Sequence, residues 1–339
     1  MTVLFATHPA YLDHVAGRDH PERPARLEAV LAGSRDASVA DALVPLEPRR
    51  ATRAELERVH PARYLDTIEA LCGRGGGRLD ADTSVSRGSW EAATLAAGAG
   101  LAAVEALQRG EAGASAAFCA VRPPGHHATP VQSMGFCIIS NVAVVAAHLA
   151  AQGERVMIVD YDAHHGNGTQ DAFYADPRVL YVSLHQWPLY PGTGSVREVG
   201  VDEGRGTTLN IPLPPGATGD RFMAALDGIV SEVAARFDPT WLIISAGFDA
   251  HRDDPLTDLG LSSGDYARIT ARLMSWAPAG KRIVMLEGGY DLDALRRSSA
   301  ATLAALVGRV HEPESPTHGG PGLTVADEVR KFWAGQDLL

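Results

Sequence analysis

Four short stretches concentrate the carboxylates, imidazoles and phenols of this 339-residue chain. They are Arg122-Pro123-Pro124-Gly125-His126-His127, Asp160-Tyr161-Asp162-Ala163-His164-His165-Gly166-Asn167-Gly168, Gly247-Phe248-Asp249-Ala250-His251 and Glu287-Gly288-Gly289-Tyr290-Asp291. Asp162 and His164 are two positions apart, so on an extended backbone both point the same way and can reach one cation. Asp249 is the candidate third ligand. Two carboxylates, one imidazole and a free position make an open metal site of the catalytic kind. The set suits Zn(II), and Fe(II), Co(II) or Mn(II) accept it as well. His126 and His127 supply either a base with an electrostatic partner or further ligands, and Tyr290 can donate its hydroxyl to a developing oxyanion. Each group alone has a plainer reading, since an Asp at a strand end often only caps the next segment. Their recurrence at four strand ends favours a common site.

Each stretch follows an apolar run. Strands are expected at Val3–Ala6, Ala116–Val121, Val156–Asp160, Val179–Leu184, Thr208–Ile211, Trp241–Ala246 and Ile283–Leu286. Several are continuously apolar (VMIVD, WLIISA, IVMLE), the pattern of parallel strands covered on both faces. Helical patterns fall at Pro24–Leu31, Ser89–Arg109, Asn141–Gln152, Asp220–Arg236, Ser263–Trp276 and Leu292–Val310. Alternating strands and helices imply an α/β parallel sheet, whose ligands bind at the carboxyl ends of the strands. Neither a repeat nor a linker divides the chain, so residues 1–339 read as one domain. Its core spans about 1–310, and 311–339 form a loop and a short helix. Within that tail Glu312–Gly322 (EPESPTHGGPG) reads as a loose excursion.

Apolar residues make up 45% and charged residues 21%, ordinary for a globular protein with a sizeable core. The net charge of −11 argues against nucleic acid as the main partner and suits a cationic one. Cys72, Cys119 and Cys137 are widely spaced and form no C-x-x-C pair, which reads as reduced, packed thiols. No stretch approaches the roughly 20 apolar residues of a membrane span, and the N-terminus lacks a signal-peptide pattern. A cytoplasmic, membrane-free protein is expected. A homo-oligomer is compatible with this reading, but nothing in the sequence specifies one.

The motifs RPPGHH, VDYDAHHGNGTQDAFY, VSLHQ, PGTG, SAGFDAHRDDPL and EGGY, in this order, resemble the histone deacetylase superfamily. The resemblance runs from His20–Arg26 (HPERPAR) to about Leu306 and is most similar to the class II branch and its bacterial relatives. These include acetylpolyamine amidohydrolases and acetoin-utilisation-type proteins. It implies a three-layer α/β/α domain with an eight-stranded parallel sheet, the arginase/deacetylase fold. The implied activity is zinc-dependent amidohydrolysis that removes acetyl groups from N-acetyl-lysine or similar acylated amines.

On this resemblance Asp162, His164 and Asp249 hold the zinc. His127 is the general base, and His126 is its electrostatic partner, backed by Asp160. Tyr290 polarises the acetyl carbonyl. Gly135 and Phe136 form one wall of a narrow acyl tunnel, Leu189 or Tyr190 the opposite wall, and Leu261 the rim. Asp82 holds a peptide substrate's backbone, and Gly288 and Gly289 border the substrate site. Potassium or sodium is implied at an inner site made by Asp160, Asp162, His164, Ser183 and Leu184. A second such site lies near Phe173, Asp176 and Val179. Arg26 is implied in an internal channel that passes acetate. Asn167 stands where class I members usually carry Asp, which places the chain on the class II side. Because Asn brings no charge, it should raise the pKa of His127 less than Asp would.

Three further readings compete. A narrowed entrance and an acidic rim would favour acetylpolyamines, but no long insertion is evident between His60 and Ala116, and Leu261 is apolar. An arginase-type ureohydrolase needs a second metal, yet Gly166 and His251 stand where its extra aspartates would be. A non-catalytic acyl-lysine-binding protein would lack a ligand or Tyr290, and all are present.

Overall fold

The computed structural model describes residues 1–36 and 38–339. Its strands are β1 (Val3–Ala6), β2 (Leu43–Leu46), β3 (Gly76–Arg78), β4 (Ser84–Ser86), β5 (Ala116–Cys119), β6 (Val156–Asp160), β7 (Val179–Gln186), β8 (Thr208–Leu213), β9 (Trp241–Ala246) and β10 (Arg282–Leu286). Eight of them form one sheet in the order β2-β1-β5-β10-β9-β6-β7-β8, and β3 and β4 form a separate antiparallel hairpin. Every pairing in the large sheet is parallel. The continuously apolar runs explain this: every residue of β1, β5, β6, β7 and β9 is buried.

Helices cover both faces. Ser89–Gln108 and Asn141–Ala151 pack together against the centre of the sheet, and Pro24–Ser34, Ser263–Leu273 and Leu292–Leu306 pack together in a second layer. The helix Val325–Ala334 packs on β8 and buries Val329 and Trp333. This is the three-layer α/β/α arrangement. No helix among the described residues is long and apolar enough to cross a membrane.

Several expectations change in detail. Three strands extend further than the apolar runs, β7 to Gln186, β8 to Leu213 and β10 back to Arg282, whereas β5 stops at Cys119. The edge strand β2 (LVPL) and the helix Ala62–Gly73 were not expected. The pattern at Asp220–Arg236 is one helical stretch interrupted by a π-helical turn at Leu226–Val230, where Gly228 departs from helical geometry. The segment Glu312–Gly322 is not loose. It runs back over the N-termini of two helices, where Glu314 and Thr317 bond Ser263 and Asp265, and Gly319 and Gly320 bond Asp220 and Thr218.

Beneath the carboxyl edge of β5 lies a fully buried ionic cluster. The Glu22 carboxylate accepts hydrogen bonds from Arg122 Nε at 2.5 Å and Arg26 Nη1 at 3.1 Å, with His14 Nε2 at 3.2 Å. Burial opposes the charged carboxylate, but His14 and Arg122 hold its pKa well below the usual range.

Candidate active site

The carboxyl ends of β5, β10, β9 and β6 are adjacent, which brings the four motif stretches together. Asp160 ends β6, and the chain after it turns back so that Asp160 Oδ1 accepts the Asp162 N–H at 3.1 Å. Asp162 Oδ1 accepts the His164 N–H at 2.9 Å, and Asp249 Oδ1 accepts the Ala163 N–H at 2.8 Å. Gly288, after β10, donates its N–H to Asp162 Oδ2 at 2.8 Å. A Cβ at Gly288 would fall on the Asp249 and Asp162 carboxylates, and one at Gly247 would also fall on Asp162, so both positions need glycine.

Asp162, His164 and Asp249 converge, their potential ligand atoms all lying within 4.8 Å of one another. His164 Nδ1 lies 3.2 Å from Asp162 Oδ1 and 3.1 Å from Asp249 Oδ2. Both carboxylates are fully buried. Burial, then the neighbouring Asp162 charge, pushes Asp249 up to about 7. Burial disfavours a charged His164, yet hydrogen bonds to Asp162 and Asp249 raise it to about 10. The geometry therefore demands positive charge between these three groups. A divalent cation bound between them would supply that charge. The donor set fits such an ion.

Beside this triad stand two histidines with opposite tendencies, their ring centroids 4.0 Å apart. His126 Nδ1 lies 3.0 Å from Asp160 Oδ2. Burial works against its charge, but Asp162 and Asp160 raise its pKa well above the ordinary value. His127 is lowered well below it, first by burial and then by the charge of His126 and His164. Its Nδ1 is 2.9 Å from Asn167 Oδ1, so the neutral ring carries its proton on Nδ1 and leaves Nε2 as acceptor. Glu287 holds the turn below by accepting the Gly125 N–H at 2.7 Å and the His126 N–H at 3.1 Å, and burial lifts it to about 7.

His164 and His127 line a cavity of about 210 Å³, with Asp162 and Asp249 fully buried against His164. Phe136 and Tyr290 meet edge to face at 5.8 Å on one side, and Tyr190 crosses His127 edge-on at 5.1 Å on the other. Leu189 and Asp82 line it as well. Phe136 has a left-handed backbone (φ 68°) directly after Gly135 (φ 55°), a conformation unusual for a bulky residue. The turn is held from outside: Asp82 Oδ1 accepts the Gly135 N–H at 3.1 Å, and Thr83 Oγ1 accepts the Phe136 N–H at 3.0 Å. His20 packs edge-on against Phe136 at 4.5 Å. A larger groove of about 530 Å³ beside Arg63, Tyr64 and Val131 has no comparable group of titratable side chains.

The remaining expected residues divide. Leu261 is not at the rim: it is fully buried, with its N–H bonded to the Ala250 carbonyl and its own carbonyl to Arg252 N–H. The rim leucine is Leu256, 37% exposed and lining the cavity. Gly288 and Gly289 are buried behind the cavity: Gly288 supports Asp162, and the Gly289 carbonyl accepts Arg26 Nε at 2.6 Å. Arg26 also bonds the Glu287 carbonyl at 2.5 Å and stacks 4.8 Å from the Tyr290 ring centroid. Ser183 pairs in register with Asp160 across β6 and β7, with Leu184 next to it. Phe173, Asp176 and Val179 share the turn into β7, where the Phe173 carbonyl accepts the Asp176 N–H at 3.0 Å. His14 is buried against Ser89 and Glu22, away from the cavity. His60 holds the 130–140 loop, accepting the Ser140 N–H at 3.0 Å.

Two residues at the site escape a reading by motif. Asp254 Oδ2 accepts the Tyr290 N–H at 2.7 Å, while its Oδ1 accepts the Leu256 N–H at 3.0 Å, so one carboxylate ties the tyrosine loop to the rim. Glu287 opens the EGGY stretch yet works through the opposite loop. Its position at the very end of an apolar strand was the available signal.

Residues 20–306 match the model of the histone deacetylase domain. The chain belongs to the histone deacetylase family. It is 40% identical over 319 residues to a protein of Archaeoglobus fulgidus named "Probable deacetylase", covering 91% of this chain and 88% of that one. It is 41% identical over 292 residues to the "Histone deacetylase-like amidohydrolase" of Pseudomonas aeruginosa, covering 84% of this chain and 74% of that one. The solved structure titled "Crystal Structure of HDA15 HD domain" superposes with a TM-score of 0.89 at 35% identity, over 99% of this chain and 97% of that one.

Proposed function

We propose that this deacetylase-family chain is a Zn²⁺-dependent amidohydrolase that removes acetyl groups from N-acetyl-lysine side chains or similar acylated amines. The observation that carries the reading is the convergence of Asp162, His164 and Asp249, with His164 opening into a narrow cavity that His127 and Tyr290 also line and His126 packed against His127. Zn²⁺ held by those three residues would supply a Lewis acid and acidify the attacking water. Neutral His127, oriented by Asn167, accepts the water proton at Nε2 and returns it to the leaving amine. His126, kept charged by Asp160 and Asp162, stabilises negative charge near the reacting carbonyl. Tyr290 donates its hydroxyl to the carbonyl oxygen.

Phe136 and Tyr190 confine the acyl-amine chain. Asp82 spends Oδ1 on Gly135, which leaves its other oxygen for a substrate N–H. The rim residue Leu256 is apolar, which favours a neutral acyl-lysine over a polyammonium chain. In this reading Asp160, Asp162, His164, Ser183 and Leu184 hold a K⁺ or Na⁺ ion, as does the turn at Phe173, Asp176 and Val179. Arg26 borders the path by which acetate leaves. Residues 1–339 act as one catalytic unit.

The test is a substrate panel of acetyl-lysine peptide, acetylputrescine, acetylspermidine and longer acyl-lysines, each with and without chelator. Hydrolysis of acetyl-lysine peptide that is lost on chelation and restored by Zn²⁺ is expected. Full activity after metal removal would sink the mechanism, and preference for an acetylpolyamine would overturn the substrate class.

A further inference from the structure

The loop that follows β9 carries three features of the site in eight residues: Asp249 in the triad, Asp254 under the tyrosine loop and Leu256 at the rim. Between them lies His251, whose side chain is fully buried. His251 Nδ1 accepts the Asp253 N–H at 3.1 Å, which puts the ring proton on Nε2. That proton is donated to Glu314 Oε2 at 2.8 Å.

Glu314 lies beyond residues 20–306, the part that matches the family domain. Its carboxylate is heavily committed. Oε2 also accepts the Ser263 N–H at 3.1 Å and the Ser263 hydroxyl at 2.9 Å, and Oε1 accepts Arg252 Nη2 at 2.5 Å. Its own backbone is fixed too, because a Cβ at Gly264 would collide with the Glu314 carbonyl. Three residues on, Thr317 donates its N–H and hydroxyl to Asp265 Oδ2, at 3.1 and 2.7 Å. The strap thus presents Glu314 in a set position at the N-terminus of the helix Ser263–Leu273, and Glu314 grips His251 from beyond the stretch that matches the family model.

We propose that Glu314 is a positioning residue for the metal site: through His251 it fixes the 249–256 loop, so the C-terminal strap governs how tightly the cation is held and how wide the tunnel stands. The proposal rests on the metal reading above and adds to it a residue beyond the stretch that matches the family model. Residues that orient metal ligands from behind typically change affinity 10- to 100-fold when removed.

The experiment measures the Zn²⁺ dissociation constant of the full chain by competition with a chromophoric chelator, together with kcat, KM and Tm. Glu314→Ala, acting on the ligand loop through His251 rather than on a ligand itself, is expected to weaken zinc binding by up to about 10-fold and to raise KM. Glu314→Gln keeps the reach and the acceptor for His251, and should recover most of the affinity. Glu314→Asp keeps the charge but withdraws it, and should bind zinc more weakly than Glu314→Gln. His251→Ala combined with Glu314→Ala should be no worse than the weaker-binding single variant, because both remove one contact. Thr317→Val, which removes one strap hydrogen bond three residues from Glu314, should weaken zinc binding less than Glu314→Ala does. Wild-type affinity in Glu314→Ala, additive losses in the double variant, or Glu314→Asp outperforming Glu314→Gln would each overturn the proposal. Asp249→Ala separates the two readings: if it binds zinc like the wild type, the metal site itself is wrong, whatever Glu314 does.

Discussion

Replacing Tyr290 by Phe deletes one oxygen and leaves the neighbours of the ring in place. The ring is stacked under Arg26 at 4.8 Å and meets Phe136 at 5.8 Å, and its backbone N–H is held by Asp254 at 2.7 Å. None of these contacts uses the hydroxyl. Burial, reinforced by Asp249 and Asp162 and opposed by Arg26, raises its pKa well above the ordinary value, so it remains a protonated donor across the working pH range. A single preorganised donor to an oxyanion contributes roughly 100- to 1000-fold in rate, or about 2.7–4 kcal/mol. Tyr290→Phe should therefore lose that much in kcat with acetyl-lysine peptide. Because the contact forms chiefly in the transition state, kcat/KM should fall in parallel with little change in KM. Zinc content and Tm, measured on the same preparation, should match the wild type. A loss below about 10-fold, worth only ~1.4 kcal/mol, would refute the role assigned to the hydroxyl. So would a rise in KM at constant kcat.

Other perturbations test neighbouring parts of the reasoning. Gly288→Ala places a methyl on two buried carboxylates, and should abolish zinc binding in a titration while circular dichroism shows a folded protein. Asn167→Asp puts a charge 2.9 Å from His127 Nδ1, favouring the imidazolium. Since the base must be neutral to act, the acidic limb of the kcat/KM profile should move to higher pH, and an unmoved limb removes Asn167 from the mechanism. Leu256→Glu supplies a rim carboxylate, and should improve acetylspermidine relative to acetyl-lysine peptide by about 5-fold, the effect of a ~1 kcal/mol exposed ion pair. That gain should shrink with added salt.

Much of the sheet could be read from the chain because its strands are buried on both faces and thus continuously apolar. β2 escaped because an edge strand containing Pro45 needs no such run, and three of its four residues are half-buried while Pro45 is exposed. The triad was legible because Asp162 and His164 share a spacing and Asp249 closely follows an unmistakable strand. The rim was not. Leu256 and Leu261 lie in one stretch, DPLTDLGL, and which of them faces outward is decided by Asp254 folding back to Tyr290, 36 positions away. Glu314 was invisible for a similar reason. Its partner His251 is 63 positions earlier, and its surroundings, rich in Pro and Gly, suggest a free loop when read alone.

The sheet order has a consequence for how the chain reaches its native state. β10, the last strand to leave the ribosome, inserts between β5 and β9. Until it does, β2-β1-β5 and β9-β6-β7-β8 are two half-sheets with no strand pairing between them, each presenting an unpaired apolar edge. Those edges are the kind that recruit foreign strands, and parallel pairings of such sequence separation close slowly. A nascent chain halted before Ile283 would carry Asp162, His164 and Asp249 but lack the strand that brings Gly288 and Tyr290 between its halves. Assembly of the site therefore waits on the last strand made, which joins the two half-sheets and brings Gly288 and Tyr290 to it.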